Sequence, residues 1–276
     1  MTSIQLNNGV EIPQVGFGVF QLPPDETQKA VETALEAGYR HIDTAAAYKN
    51  EAGVGAAIRA TGLDRSEIFV TTKLRNGEQG TGTSRQAFAE SLANLGLDYV
   101  DLYLIHWPVP AHDQYVNSWR ELEKIYGEER ARAIGVSNFL EPHLERLLAE
   151  TDIVPAVNQI EIHPSFQQKP LTDLLRSKGI AVEAYSPLGQ GSDLTDPVIT
   201  ALAEKHGVSA AQIVLRWHVQ AGTIVIPKSA TPERIASNFD LAGFELDADE
   251  IASIDALESG ARRGADPAQF TFSQIR

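Results

Sequence analysis

Four side chains, Asp43, Tyr48, Lys73 and His106, are of the types that together could deliver a proton to a carbonyl oxygen. A tyrosine phenol, with an ordinary pKa of about 10, is a poor acid at neutral pH. A nearby lysine ammonium stabilises the phenolate and lowers the pKa of the phenol, and a carboxylate beside the lysine keeps the ammonium in place and charged. A neutral histidine can then orient the acceptor oxygen. If the four residues meet, they predict general-acid chemistry toward a carbonyl group.

Each of these residues also has a purely structural interpretation. Asp43 could cap a helix, Lys73 could be an exposed lysine, and His106, which precedes Trp107, could be a satisfied core histidine. Tyr48 could simply pack in a loop. Spacing along the chain does not bring them together, so the elements that would position them decide between the two interpretations.

Short apolar runs alternate with longer segments of helical spacing along most of the chain. The spacing of Val31, Ala34 and Leu35 within 27–37 is typical of the helical segments. Eight runs are strand candidates, at 15–17, 40–42, 68–71, 100–105, 133–136, 156–159, 180–183 and 223–226. Strands that alternate with helices over about 250 residues predict a parallel (β/α)8 TIM barrel. Before it, the turn residues Asn7-Asn8-Gly9 between two apolar stretches predict a β-hairpin that caps the bottom of the barrel.

Seven of these runs lead into a polar or hydrogen-bonding residue. The carboxyl ends of parallel barrel strands share one rim, so residues far apart in sequence converge there. In chain order the rim residues are Asp43, Lys73, His106, Ser137 with Asn138, Gln159, Tyr185 and Lys228. We therefore expect one site at this rim that contains the proton-donating group.

Composition narrows the class of protein. The 276 residues are 43% hydrophobic and 22% charged, without a linker-like stretch, so we expect one domain over 1–276. It would comprise a hairpin cap (1–13), a barrel (15–258) and a C-terminal tail (259–276). The absence of cysteine excludes disulfides, thiolate metal sites and cysteine nucleophiles. A net charge of −14 disfavours nucleic-acid binding. No apolar run of about 20 residues predicts a membrane span, and the N-terminus lacks the pattern of a signal peptide, so we expect a cytoplasmic protein with no membrane partner.

Other chemistries fit the sequence less well. Paired carboxylates such as Glu161 and Glu183 could serve a glycosidase barrel, but His106 stands where that fold needs an acid. The segment around Ser137 lacks the second glycine of a hydrolase nucleophile turn. The third glycine of the dinucleotide fingerprint is replaced by Gln21. No His-Glu-x-x-His motif is present, so we expect no metal.

Long stretches around these residues resemble the aldo-keto reductase family, and most closely its bacterial branch of 2,5-diketo-D-gluconic acid reductases. The resemblance covers essentially the whole chain. The matching stretches are 38–45 with Tyr48 and Asn50-Glu51, 95–108, 134–139, 158–161, and Ile-Pro-Lys-Ser at 226–229 followed by Arg234 and Asn238. It implies the barrel fold and NADPH-dependent reduction of aldehydes and ketones to alcohols.

The resemblance also implies roles for individual residues. Tyr48 would be the proton donor, tuned and positioned by Lys73 and Asp43, while His106 orients the carbonyl. The implied cofactor residues are Ser137, Asn138 and Gln159 for the carboxamide, Tyr185 for the nicotinamide ring, the loop with Ser186, Leu188 and Gln190 for the pyrophosphate, Lys228, Ser229 and Arg234 for the 2′-phosphate, and Asn238 for the adenine.

The phosphate end can also be argued from chemistry. A phosphate monoester needs cations and donors at short range, which Lys228 and Arg234 supply. Thr231 before Pro232 is typical of a helix start, whose amides add donors for an anion. In a chain of net charge −14 this cluster predicts NADPH over NADH.

The substrate end is less specified. Phe20 and Trp107 are expected to form apolar walls. The resemblance also implies a C-terminal loop over the active site, which would bring Phe270 or Phe272 near the substrate. Arg75 replaces an aromatic residue common in this branch, so it either favours a carboxylate-bearing substrate or points to solvent. Small dicarbonyls such as methylglyoxal, aldehydes and keto-sugar acids such as 2,5-diketo-D-gluconate remain open, and we expect a monomer. The alternative to an enzyme is an NADPH-binding regulatory or redox-sensing subunit with little turnover. Some relatives with this barrel resemble such subunits.

Overall fold

An antiparallel hairpin covers one end of the molecule. The structure, a computed structural model, describes residues 2–271. The hairpin consists of β1 (Ser3–Gln5) and β2 (Glu11–Pro13), and Ile4 pairs with Ile12. Gly9 has a φ of 86°, which glycine adopts without strain, and it lies in the turn where the sequence places it. Leu6 and Ile12 pack on the lower barrel interior, so the predicted cap is confirmed.

Eight parallel strands form the barrel, each hydrogen-bonded to the next in chain order. They are β3 (Phe17–Gly18), β4 (His41–Asp43), β5 (Phe69–Leu74), β6 (Val100–Ile105), β7 (Ala131–Ser137), β8 (Val157–Glu161), β9 (Ala181–Tyr185) and β10 (Ile224–Val225). The first and last strands meet through the Gly16 N–H, which donates to the Val225 oxygen at 2.8 Å, and the Val225 N–H, which donates to the Gln14 oxygen at 2.9 Å. The predicted (β/α)8 barrel is therefore confirmed.

The helices lie outside the sheet and cover its apolar outer face. They are α1 (Pro24–Glu36), α2 (Glu51–Ala60), α3 (Thr83–Leu95), α4 (Tyr115–Gly127), α5 (Glu141–Glu150), α6 (Lys169–Ser177), α7 (Pro197–His206), α8 (Ala210–Gln220), α9 (Pro232–Phe239) and α10 (Ala248–Asp255). Two helices were not predicted from the sequence: α7, an additional helix between β9 and α8, and α10. Across residues 2–271 we find no helix with the length and apolar character that a membrane crossing requires.

The barrel interior changes character from bottom to top. Its lower part is apolar and contains Phe69, Leu102, Leu104 and Ile224. Its upper part contains buried polar side chains, namely His41, Asp43, Thr71, Lys73, Gln159 and Glu183. Burial of this many polar groups is costly unless each finds a partner. This layer is the floor of the site described below.

Gly55 in α2 provides a test of helix packing. A Cβ on Gly55 would lie 1.8 Å from the backbone oxygen of Leu95 at the end of α3, whereas nothing lies within 4 Å of a Cβ on Gly127. We expect Gly55→Ala to lower the free energy of unfolding by about 2 kcal/mol or more, because the two helices must separate. Gly127→Ala should change it by less than about 0.5 kcal/mol. Urea unfolding of both variants checks this, and equal stabilities would contradict the packing described.

Candidate active site

A cavity of about 390 Å³ opens at the carboxyl ends of the strands. Its lining brings together Asp43, Tyr48 and His106, three of the four residues in the predicted proton-donating group. The fourth, Lys73, lies fully buried directly beneath them. The structure thus assembles the group at the predicted rim, while the roles of its members stay predictions.

The Lys73 ammonium is held from below. Its Nζ donates to Asp43 Oδ1 at 2.6 Å and to the Thr44 backbone oxygen at 2.9 Å. Burial alone would lower the pKa of Lys73, but the Asp43 carboxylate outweighs that effect and the pKa lies above its ordinary value. Lys73 is therefore a permanent cation at neutral pH.

Tyr48 ends a short turn of 3₁₀ helix over Ala46–Tyr48. Thr44 Oγ1 donates to Asn50 Oδ1 at 2.9 Å, and Asn50 Nδ2 donates to the Val19 oxygen at 2.9 Å, which fixes the segment that carries the phenol. The Lys73 Nζ lies 5.3 Å from the centre of the Tyr48 ring.

The Lys73 ammonium lowers the pKa of Tyr48, as expected, but a larger effect opposes it. Burial raises the pKa of the phenol above its ordinary value, and the Lys73 ammonium only opposes that rise. Tyr48 therefore stays protonated at neutral pH, which is the state that a proton donor requires. The ammonium acts by stabilising the phenolate that forms when the proton leaves.

His106 is neutral. Burial, and after it the Lys73 ammonium, hold the pKa of His106 far below its ordinary value. Its Nδ1 is buried and finds no hydrogen-bond partner within residues 2–271. A buried N–H without an acceptor is rare, so we assign the proton to Nε2. That tautomer gives the cavity a neutral donor beside the tyrosine, whose ring centre is 5.6 Å from that of the histidine.

Amide and hydroxyl groups from β7 and β8 form the adjacent wall. Ser137 and Gln159 are paired in register, and Ser137 Oγ donates to the Gln159 backbone oxygen at 2.8 Å. Asn138 adopts a left-handed φ of 65°, and its Nδ2 donates to the His106 backbone oxygen at 3.0 Å. The Tyr185 hydroxyl donates to Asn138 Oδ1 at 2.7 Å. The predicted carboxamide-binding residues are thus held side by side next to the proton-donating group.

A second cavity of about 620 Å³ continues from the first. The two share Phe20, Gln21, Ser186, Pro187, Gln190 and Lys228, so together they form one groove. The far cavity is lined by the remaining predicted cofactor residues, Leu188, Ser229, Arg234 and Asn238. Gln21, which lines both cavities, was not predicted from the sequence.

The far end of the groove carries positive charge. Lys228 and Arg234 are exposed within it, and Arg234 Nη2 donates to Thr231 Oγ1 at 2.9 Å. Thr231 occupies the N-cap position of α9 with Pro232 following, as predicted, but its side chain makes no capping bond. A long groove with amides at one end and cations at the other fits NADPH.

Aromatic side chains form the substrate end. Phe20 is 52% exposed and its ring centre lies 5.0 Å from that of Tyr48. Trp107 stacks on Phe270 at 4.0 Å between ring centres. Phe272 lies outside the described residues. Arg75 lines neither cavity and instead pairs with Glu78, so the structure does not bring it into the site.

Three buried titratable residues beside the groove form a hydrogen-bonded cluster that was not predicted from the sequence. His163 Nε2 lies 3.1 Å from Glu161 Oε1, and His163 Nδ1 lies 2.8 Å from Asp193 Oδ2. Glu161 also accepts from the backbone N–H groups of Arg263 and Gly264 at 2.5 and 2.7 Å. The three residues thereby connect the end of β8, the loop after β9 and the tail. The Glu161-x-His163 spacing was visible, but nothing in the sequence indicated the partner Asp193.

Comparisons with a family model, with related sequences and with solved structures all match nearly the whole chain. The family model described as "Aldo/keto reductase family" matches residues 14–259. An aldo-keto reductase of Mycolicibacterium smegmatis is 55% identical over 270 residues, 98% of each chain. The methylglyoxal reductase DkgA of Escherichia coli is 49% identical over 271 residues, again 98% of each chain. A crystal structure of a Gox0644 mutant in complex with NADPH has a TM-score of 0.94 and 47% identity, and the match covers 98% of each chain.

His163 should make stability depend on pH. Burial opposes its charge, but hydrogen bonds to Asp193 and Glu161 raise the pKa of His163 above its ordinary value, and they lower the pKa of both carboxyl groups. The imidazolium contribution is complete below about pH 6.5 and is lost as the pH rises through the folded-state pKa, whereas the carboxylate contributions are lost in acid. The cluster should therefore stabilise most between about pH 4.5 and 6.5.

The measurement is urea unfolding of wild type and His163→Gln across that range and up to about pH 9. Wild type should exceed the variant by about 2 kcal/mol near pH 6 and by less at high pH. His218→Gln is the matched control, because burial lowers the pKa of His218 to about 3 and its contribution should instead grow as the pH rises. A constant difference for His163→Gln would contradict the charge assigned to His163.

Proposed function

Because the chain belongs to the aldo/keto reductase family, we propose that it reduces the carbonyl group of small α-dicarbonyl compounds such as methylglyoxal. The chain is an NADP-dependent oxidoreductase. The observation that carries the proposal is the buried Lys73 ammonium, which lies beneath a protonated phenol that faces the same cavity as a neutral histidine.

The groove would hold NADPH along its length. Ser137, Asn138 and Gln159 would bind the carboxamide, and Tyr185 would pack on the nicotinamide ring. The loop 186–191 would cover the pyrophosphate. Lys228, Ser229 and Arg234 would bind the 2′-phosphate, and Asn238 the adenine. When bound, NADPH supplies a hydride to the carbonyl carbon of the substrate.

Tyr48 completes the reduction by protonating the carbonyl oxygen. Its O–H bond breaks as the new O–H bond of the alcohol forms, and the resulting phenolate is stabilised by the Lys73 ammonium. His106 would donate a hydrogen bond from Nε2 to the same oxygen. Because His106 is neutral, it orients the carbonyl without competing for the proton.

The walls of the cavity favour a small uncharged substrate. Phe20, Trp107 and Phe270 supply apolar surface close to Tyr48. Arg75, the residue that could have selected a carboxylate, is paired with Glu78 away from the cavity. These observations support a dicarbonyl such as methylglyoxal over a keto-sugar acid such as 2,5-diketo-D-gluconate. The name of the E. coli relative, methylglyoxal reductase, supports the same choice.

NADPH oxidation against a panel of aldehydes, α-dicarbonyls and keto-sugar acids tests the function, with Tyr48→Phe measured in parallel. The substitution removes only the proton donor, so we expect kcat to fall by about 10²–10⁴. The Kd for NADPH, from fluorescence titration, should change by less than about twofold. Equal loss of binding would show that Tyr48 is not the proton donor. Tight NADPH binding with no turnover on any carbonyl would favour the regulatory-subunit alternative.

Arg234→Ala tests the phosphate end. Loss of one charge-assisted contact should weaken NADPH by about 10–100-fold and leave NADH within about twofold. Arg85→Ala is the matched control, because Arg85 is an exposed arginine that pairs with Glu128 outside the groove. Equal weakening of the two cofactors by Arg234→Ala would reject the contact with the 2′-phosphate.

A further inference from the structure

Glu183 is a buried carboxyl group beneath the site to which the chemistry above gives no role. It lies in the middle of β9, and its register partner on β8 is Gln159. It is fully buried, its Oε2 accepts a hydrogen bond from Gln159 Nε2 at 3.0 Å, and its Oε1 has no hydrogen-bond partner within residues 2–271. His41 Nε2 lies 3.7 Å from Oε1.

The same Gln159 nitrogen reaches across the barrel. Its Nε2 also donates to Asp43 Oδ2 on β4 at 2.8 Å. An amide nitrogen has two hydrogens, and here one is donated to each carboxyl group. Gln159 Oε1 is therefore the atom left to face the cavity, where it presents an acceptor.

The two carboxyl groups together determine which way the amide points. With the amide turned over, Oε1 would face the Asp43 carboxylate, which can only accept, and the hydrogen bond to Asp43 would be lost. With Asp43 alone, one contact would remain and the amide could rotate about it. The second carboxyl group removes that freedom.

Glu183 can do this without disturbing the charges above it. Burial, and after it the Asp43 charge, raise the pKa of Glu183 well above its ordinary value, so it is a neutral acid at pH 7. The floor then carries one carboxylate, Asp43, and one ammonium, Lys73. The ammonium keeps its effect on Tyr48.

We propose that Glu183 is a positioning residue for the nicotinamide end of the cofactor: it orients the Gln159 amide so that Oε1 accepts a hydrogen bond from the carboxamide NH2 group. This inference rests on the proposed placement of the carboxamide at Gln159. It assigns to Glu183 an effect on one end of the cofactor only.

Glu183→Leu and Glu183→Gln separate this role from simple packing. Leucine removes the acceptor, whereas the amide oxygen of glutamine retains it. We expect Glu183→Leu to weaken NADPH by about tenfold and Glu183→Gln by less than about threefold, measured by fluorescence titration. Binding of adenosine 2′,5′-bisphosphate, which lacks the nicotinamide, should stay within about twofold for both variants. Thr71→Val, a substitution in the same buried layer at a hydroxyl that bonds to His41, should leave both ligands unchanged.

A double-mutant cycle with Gln159→Met adds a readout that a structural role would not move. In the methionine background, Glu183→Leu should change NADPH affinity by less than about twofold, because no amide remains to orient. Equal weakening of NADPH and the bisphosphate, an unchanged Glu183→Leu, or a full effect in the methionine background would each overturn the proposal.

Two further outcomes are separable. Glu183→Met is measured if circular dichroism shows that Glu183→Leu is unfolded, and if neither variant folds, Glu183 is a stability residue and the proposal is rejected. If wild type binds NADPH but reduces no carbonyl, the proposed function fails, while the binding comparison still decides the role of Glu183.

Discussion

The ion pair between Lys73 and Asp43, sealed inside the barrel, is the interaction on which the rest of the site depends. Removal of two charges from water costs several kcal/mol per ion, and mutual attraction offsets this only when the remaining hydrogen-bonding groups are satisfied. Here the Thr44 backbone oxygen accepts a second hydrogen bond from the ammonium, and Gln159 Nε2 donates to the other carboxylate oxygen of Asp43. An ion pair of this kind contributes little to stability by itself, so its position beneath the cavity points to chemistry rather than to folding.

The barrel accommodates that buried ion pair because its interior is divided into two layers. The lower layer is apolar and closed by the hairpin, and it supplies the burial that stabilises the fold. The upper layer is polar and connected, with Gln159 joining β8 to β4 and to β9. Electrostatic effects are strong there because water is largely excluded. Burial therefore lowers the pKa of His106 and raises the pKa of Tyr48, which keeps the histidine neutral and the tyrosine protonated. Asp43 keeps Lys73 charged.

The strand order and the rim residues were predictable because they follow from local patterns. Each apolar run is short, each leads into a polar residue, and parallel strands bring those ends together whatever lies between them. The residues that line the groove beyond the strand ends, such as Leu188, Ser229 and Asn238, came instead from the resemblance to the aldo-keto reductase family. What could not be predicted depends on distances between residues remote in sequence. The net direction of the Tyr48 pKa depends on how deeply the phenol is buried, the exclusion of Arg75 depends on its contact with Glu78, and the role of Glu161 depends on Asp193 and on a tail that lies about a hundred residues further on.

The attachment of the tail has a consequence for how this barrel can change its substrate. Glu161 binds the tail through the backbone N–H groups of Arg263 and Gly264, so the Arg263 side chain takes no part in the attachment, whereas a Cβ at Gly264 would lie 2.7 Å from Glu161 Oε2. The part of the tail that forms the cavity wall, including Ala265 and Phe270, begins directly after this anchor. Substitutions in the wall therefore leave the attachment chemically intact. The wall from Ala265 onward can vary while the anchor stays in place, which allows the cavity to be redesigned, by natural selection or in the laboratory, above an unchanged polar floor.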